Sequence, residues 1–202
     1  TDVRAMAKLV NRRRRFVRDG EPLALGVFAI GDAAICSNPL YGRGCALAFV
    51  HAWEFEHALR EHARDLRGLA LAFDAATRRE IEPWYRAARD QDRESREIAA
   101  AQARGESIGA ARAAQPGQPI DPKAFLRSVF RDGLLPALRT DIHVVRAFLR
   151  VFNLLVPPDA LMKDPDVIAR VLAAWRGRDQ RAPLEMPGPA RSEMVELLRR
   201  AA

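Results

Sequence analysis

The sequence predicts a mainly α-helical protein with a short β portion. Three observations carry that reading. Apolar residues recur at three- and four-residue spacing through most of the chain after residue 45, the period of a helix with one buried stripe. Asp121-Pro122 and Asp164-Pro165 have the form of a capping acid followed by proline at the first helical position. One apolar run near residues 25–30 is rich in β-formers and stops at Gly31-Asp32, as a buried strand would. The divisions expected are residues 1–104, a loop over 105–120 and a helical region over 121–202.

Taken in order, residues 1–18 form an Arg-rich amphipathic stretch, and Asp19-Gly20-Glu21-Pro22 a turn. A polar loop from Asp32 to Gly44 follows the strand. Residues 45–62 read as a helix whose apolar face is Ala46, Phe49, Ala52 and Trp53, with Glu56 at its edge. His51, His57 and His62 are six and five apart, so they lack the i, i+4 geometry of a helical two-His metal site; they are expected at the surface or partly buried.

Residues 66–100 form a long helical region with Leu66, Leu69, Ala70, Phe73, Ala76 and Ile81 in period. Pro83 lies inside it and must break or kink the helix. The helix after Asp121 runs through Phe125, Val129 and Phe130 toward Asp132-Gly133. The next starts at Thr140 or Asp141, carries the stripe Ile142, Val145, Phe148, Leu149 and Phe152, and is stopped by Pro157-Pro158. Asp164 starts a third, ending at Gly177. A proline-rich link over 183–189 leads to a terminal helix over 192–200. Trp53, Trp84 and Trp175 are expected as core or interhelix anchors. Asp90 and Asp92 near Arg93 suit a salt-bridged helix face. No internal repeat is present.

Composition bounds the function. The 202 residues include 49% hydrophobic and 29% charged residues, which excludes a disordered chain. Two cysteines, Cys36 and Cys45, exclude a disulfide scaffold. The net charge is +7, and all but three of the 33 Lys and Arg residues are Arg. Arg is spread along the chain beside Asp and Glu, and the one dense cluster, Arg12-Arg13-Arg14-Arg15, reads as a solvated run. No nucleic-acid motif accompanies it, so no nucleic-acid partner is expected. No apolar run approaches the ~18 residues of a membrane span. The start lacks both Met and an apolar signal segment, which suits a piece of something longer; a cytoplasmic location is expected.

Residues 31–46 do not read as packing alone. Their order is strand, acid, loop, glycine pair, helix. Asp32 at a strand end can accept hydrogen bonds from sugar-like hydroxyls. Gly42 and Gly44, lacking Cβ, let a ligand approach the backbone, and free amides at the following helix start can stabilise negative charge. An ordinary strand–loop–helix turn has the same spacing. Cys36 and Cys45 are nine apart without a C-x-x-C, which favours packing over a redox pair.

The run GDAAICSNPLYGRGCALA, with the preceding GVFAI, resembles the second FAD-binding motif of flavin-dependent monooxygenases with a para-hydroxybenzoate-hydroxylase-like fold. Its Asn38-Pro39-Leu40-Tyr41-Gly42-Arg43-Gly44 portion looks like the form found in bacterial FAD-dependent oxidoreductases related to polyketide epoxidases and polyprenyl-methoxyphenol hydroxylases. EPWYRAARDQDR and VVRAFLRVFNLLVPPDALMKDPDVIARVL are similar to the C-terminal region of that subgroup, so the likeness runs from about residue 11 to about residue 176.

The resemblance implies that the chain is the C-terminal part of such an α/β FAD-binding fold, with residues 1–104 a segment of its FAD-binding domain. Gly31 and Asp32 would then meet the ribityl chain, Pro39 would pack beside the isoalloxazine, and Gly42, Arg43, Gly44 and Cys45 would face the pyrimidine edge. NAD(P)H would be the reductant and a small apolar organic molecule the substrate, hydroxylated or epoxidised with O₂. An FAD-dependent reductase or a non-catalytic helical remnant is the alternative.

Three departures qualify the likeness. Ile35 stands where the aromatic hydroxylases carry His, Cys45 where the subgroup has Met, and Arg43 where Gln is common. Arg43 either stabilises an anionic reduced ring or points to solvent. The G-x-G-x-x-G that cradles the FAD pyrophosphate is not among these residues; the one G-x-G is Gly42-Arg43-Gly44. An N-terminal FAD-binding half, in the same gene product or a separate chain, is therefore the expected partner, and no activity is expected without it.

Overall fold

The computed structural model describes residues 10–104, 122–181, 188 and 191–201. It is mainly helical with a small β part. β1 (Arg12–Arg13) pairs antiparallel with β4 (Ile35–Cys36), setting Arg12 opposite Cys36 and Arg13 opposite Ile35. β2 (Val17–Arg18) pairs with β3 (Glu21–Pro22). The turn between them is Asp19-Gly20, with φ of 51° and 81°. Two left-handed residues match the twist of a tight hairpin, and Asp and Gly tolerate them best. Residues 10–18 are thus strand and turn rather than an amphipathic stretch. Nor is the arginine cluster simply solvated: Arg13 reaches a buried Glu82, and Arg14 Nη1 donates to Ala33 O at 2.6 Å.

The strand expected over 25–30 does not form. Gly26 has a φ of 76°, and Leu23, Leu25 and Val27 are exposed. A strand needs a neighbour for its N–H and C=O groups, and no described strand lies beside this one.

α1 (Gly44–His62) buries the side opposite to the one expected. His51 and Ala58 are fully covered and Leu47, Val50 and Phe55 half-covered, while Phe49 and Trp53 are 78% and 71% exposed. The first half of α1 is apolar nearly all round, so its spacing fits two faces, and packing against α2 and the 31–33 turn selects one. α2 (Leu66–Ala76), capped by Asp65, buries Leu69, Ala70, Phe73 and Ala76 as its period requires; Leu66 at its start is exposed.

Pro83 does not break the helix. A π turn at Thr77–Ile81 leads directly into α3 (Glu82–Ala103), with Glu82 N–H bonded to Thr77 O. Pro83 falls in the first turn of α3, where its missing N–H is least costly. The same device recurs after α4 (Pro122–Ser128): a π turn at Val129–Leu134, with Leu135 N–H bonded to Phe130 O, precedes Pro136 in α5 (Leu135–Thr140). The helix therefore continues through Asp132-Gly133 instead of ending there.

α6 (Ile142–Phe152) is capped by Asp141, which accepts from His143 N and Val144 N. Its buried residue is Val144. The expected stripe faces outward in large part, with Ile142, Leu149 and Phe152 exposed. α6 stops at Asn153, before the prolines, because Leu154 turns left-handed at φ 60°. α7 (Pro165–Arg176) starts at Asp164 as expected, and α8 spans Arg191–Ala201. Leu134, Ala137, Val144, Val167 and Val171 form the core of this region. Two smaller clusters, around Ile35 and Ile81 and around Leu69 and Phe73, serve residues 10–104. Trp84 is buried, and Trp175 bonds Ser128 Oγ and meets Phe125 edge-on, so both act as anchors; Trp53 does not. Among the described residues no helix is long and apolar enough to cross a membrane. The expected 105–120 loop and most of the 183–189 link lie outside the described residues.

Candidate functional site

Gly31–Ala33 form a single 3₁₀ turn directly after the 23–30 segment. Gly31 has a φ of 58°, and a Cβ there would come within 2.9 Å of Ala48 Cβ. Glycine is thus required for both conformation and close approach to α1. Its N–H donates to His51 Nδ1 at 3.2 Å. Since that nitrogen accepts, the ring is neutral and Nε2 carries the proton, which goes to Thr77 Oγ1 at 2.9 Å. Thr77 Oγ1 in turn donates to Phe73 O at 2.7 Å. Burial pulls the His51 pKa below its usual value, in keeping with the neutral form. His51 is not at the surface; it ties the Asp32 turn to α1, and its ring stacks on Phe73 at 4.7 Å.

Asp32 is exposed at the rim of a small depression that Gly31, Ser37, Gly44 and Ala48 also line. Its enclosed space is about 10 Å³, room for no more than a water, so any larger ligand lies against an open surface.

The following loop is held by side chains. Asn38 caps the turn Pro39–Tyr41 by accepting from Leu40 N at 3.1 Å. Its Nδ2 donates to Asp92 Oδ1 at 2.8 Å, and Tyr41 Oη donates to the same oxygen at 2.6 Å. Asn11 Nδ2 donates to Asp92 Oδ2 at 2.5 Å, while Asn11 Oδ1 accepts from Asn38 N at 2.9 Å. Asp92 therefore anchors the loop to α3 rather than pairing with Arg93; Asp90 takes that contact. Burial would raise the Asp92 pKa, but the three hydrogen bonds together outweigh it and hold the group below its usual value. Burial, then the bond to Asp92, pushes the Tyr41 phenol up to about 12.

Gly42 closes this turn at φ 65°. At both Gly42 and Gly44 a Cβ would meet nothing within 4 Å, so neither is demanded by packing. Arg43 stands at the N-cap of α1 without a capping bond, whereas Asp65, Asp141 and Asp164 cap α2, α6 and α7. The first bond is Leu47 N–H to Arg43 O, which leaves the amides of Gly44, Cys45 and Ala46 without helical partners. Arg43 does not point to solvent. Its guanidinium lies 5.1 Å from the Trp84 ring centroid, and burial pulls its pKa down. Its Nε is the one buried side-chain polar atom among the described residues without a hydrogen-bond partner. Pro39 and Cys45 are exposed, Cys36 is half-buried, and both thiols are free.

The structure thus brings Gly31, Asp32 and Gly44 to one depression, with Pro39, Gly42, Arg43 and Cys45 on the adjoining turn and helix start. Sequence reasoning missed His51, Asn11 and the anchoring role of Asp92. Only Asn38, an Asx residue before Pro39, carried a local signal, that of a cap. The chain matches no protein-family model, and no curated protein matches it.

Proposed function

We propose that residues 31–46 hold the ribityl chain and pyrimidine edge of FAD, and that the chain supplies this part of an FAD-dependent oxidoreductase. The reading that fits best is a monooxygenase for a small apolar substrate, with NAD(P)H as reductant and a cytoplasmic setting. One observation carries the proposal: an uncapped helix start, two glycines open to space and an inward arginine with an unpartnered Nε adjoin an exposed carboxylate. These residues suit one edge of a flavin and do not enclose it.

In this reading Asp32 accepts from the ribityl hydroxyls, and the amides of Gly44, Cys45 and Ala46 stabilise negative charge on the ring edge. Arg43 adds a fixed positive charge beside them, held by Trp84. His51 keeps Asp32 in register through Gly31. FAD, when bound, supplies the electron transfer and the reaction with O₂. The pyrophosphate needs a Gly-rich helix start that these 202 residues do not contain, so a second FAD-binding half provides it.

Titrating the chain into FAD and following flavin fluorescence tests the division of labour. Weak binding is expected; tight stoichiometric binding would overturn it. In the protein assembled with its other half, Asp32→Ala should cost about tenfold in flavin affinity, the worth of one good hydrogen bond. Unchanged flavin content would contradict the assignment of Asp32.

A further inference from the structure

α6 is buried on one side only. Val144 is fully covered, and Ala147 packs with it against the C-terminal core. The opposite side exposes Ile142 at 56%, Leu149 at 47% and Phe152 at 49%, with Leu155 just beyond the helix end at 70%. At 100° per residue, Phe152, Val145, Leu149 and Ile142 make a continuous apolar band. Arg146, Arg150 and His143 follow it around the helix as a basic flank, and Arg139 precedes it on α5.

Arg139, Arg146 and Arg150 find no acidic partner among the described residues, whereas Arg13, Arg78, Arg86, Arg127 and Arg170 are ion-paired. No Asp or Glu occurs from 142 to 156, and the nearest, Asp141, is engaged by Arg170 at 2.9 Å.

We propose that this face docks on an anionic lipid surface, with α6 lying in the plane of the headgroups. An apolar band beside unpaired cations is what such a surface selects: the band enters the acyl boundary and the arginines reach the phosphates. Charge favours lipid over a second copy, because antiparallel self-pairing of α6 would set its arginine flank against the same flank. This face uses none of residues 31–46, since α6 spans Ile142–Phe152.

Flotation of the full chain with vesicles tests it. The protein should float with mixed phosphatidylcholine–phosphatidylserine vesicles, remain behind with phosphatidylcholine alone, and be released by high salt. Leu149→Glu with Phe152→Glu should reduce the bound fraction at least tenfold. Arg146→Gln and Arg150→Gln should each reduce affinity about fivefold. Trp53→Glu, on the outer face of α1, should leave flotation unchanged. Thermal melts check that each variant folds; should the Glu pair melt early, the arginine variants decide. No flotation with anionic vesicles, flotation indifferent to the α6 variants, or equal loss with Trp53→Glu would each overturn the proposal. So would a dimer, seen by light scattering, that Leu149→Glu dissociates, since the face would then belong to a second copy.

Discussion

Residues 10–104 and 122–181 are held together differently. In the first, each strand ladder is two residues long and the apolar clusters are small, and long-range polar contacts position the loops. Arg13 grips Glu82 at 2.5 and 2.6 Å across 69 residues, and Asp92 collects three donors from two distant segments. In the second, helices capped by Asp141 and Asp164 close on one apolar core, and Gly133 lets α7 approach the π turn. Arg127 links the two through Glu94 at 2.8 Å and Glu97 at 3.7 Å. The difference teaches that the candidate site depends on individual hydrogen bonds, while the helical region depends on shape.

Glu82→Ala should show this most strongly. Glu82 is 4% exposed and also receives Arg86, so its loss strands Arg13 in a half-buried position. A loss of about 3 kcal/mol is expected in urea denaturation. Hydrogen exchange should quicken in residues 10–104 and not in α5–α7; equal quickening in both would end the two-region description.

Gly133→Ala reverses the pattern. The new Cβ would lie 2.8 Å from Val171 O and 3.1 Å from Trp175 Cβ. Backbone cannot yield as a side-chain tip can, so the gain in helix propensity is outweighed and stability falls by about 1–2 kcal/mol. Faster exchange should appear in α5–α7 alone.

A smaller effect comes from pH. Asp92 is held below its usual value, so its contribution is present above the unfolded carboxylate pKa and is lost as pH falls through the folded one. Tyr41 is raised from 10.0 to about 12, so its contribution is complete below pH 10 and is lost as pH rises toward 12. The loop pin therefore weakens at both extremes. Asp92→Asn should cost about 1 kcal/mol at neutral pH and remove the acid-side loss. It should also bring the Tyr41 transition, followed by phenolate absorbance, back toward 10.0. A Tyr41 transition unmoved by Asp92→Asn would show that burial alone sets it.

What the sequence by itself determined is local. Asp164-Pro165 starts α7, Asp141 caps α6, and Asp19-Gly20 turns the hairpin, because caps and turns bond to backbone within a few residues. The order of acid, glycine pair and helix over 31–46 is legible for the same reason; of its residues Gly31, Asp32 and Gly44 line one depression, and Gly42 lies on the adjoining turn. Only tertiary structure decided which face of α1 and α6 is covered, since each helix offers apolar residues on more than one side and burial depends on distant neighbours. It also decided that residues 25–30 form no strand among the described residues, that π turns carry two prolines within helices, and that His51 is buried and neutral. Asp92 became the anchor of the loop and Glu82 the partner of Arg13 because folding brings donors from 51 to 81 residues away. No spacing along the chain encodes such contacts; they exist only where packing removes water and leaves those groups each other as partners.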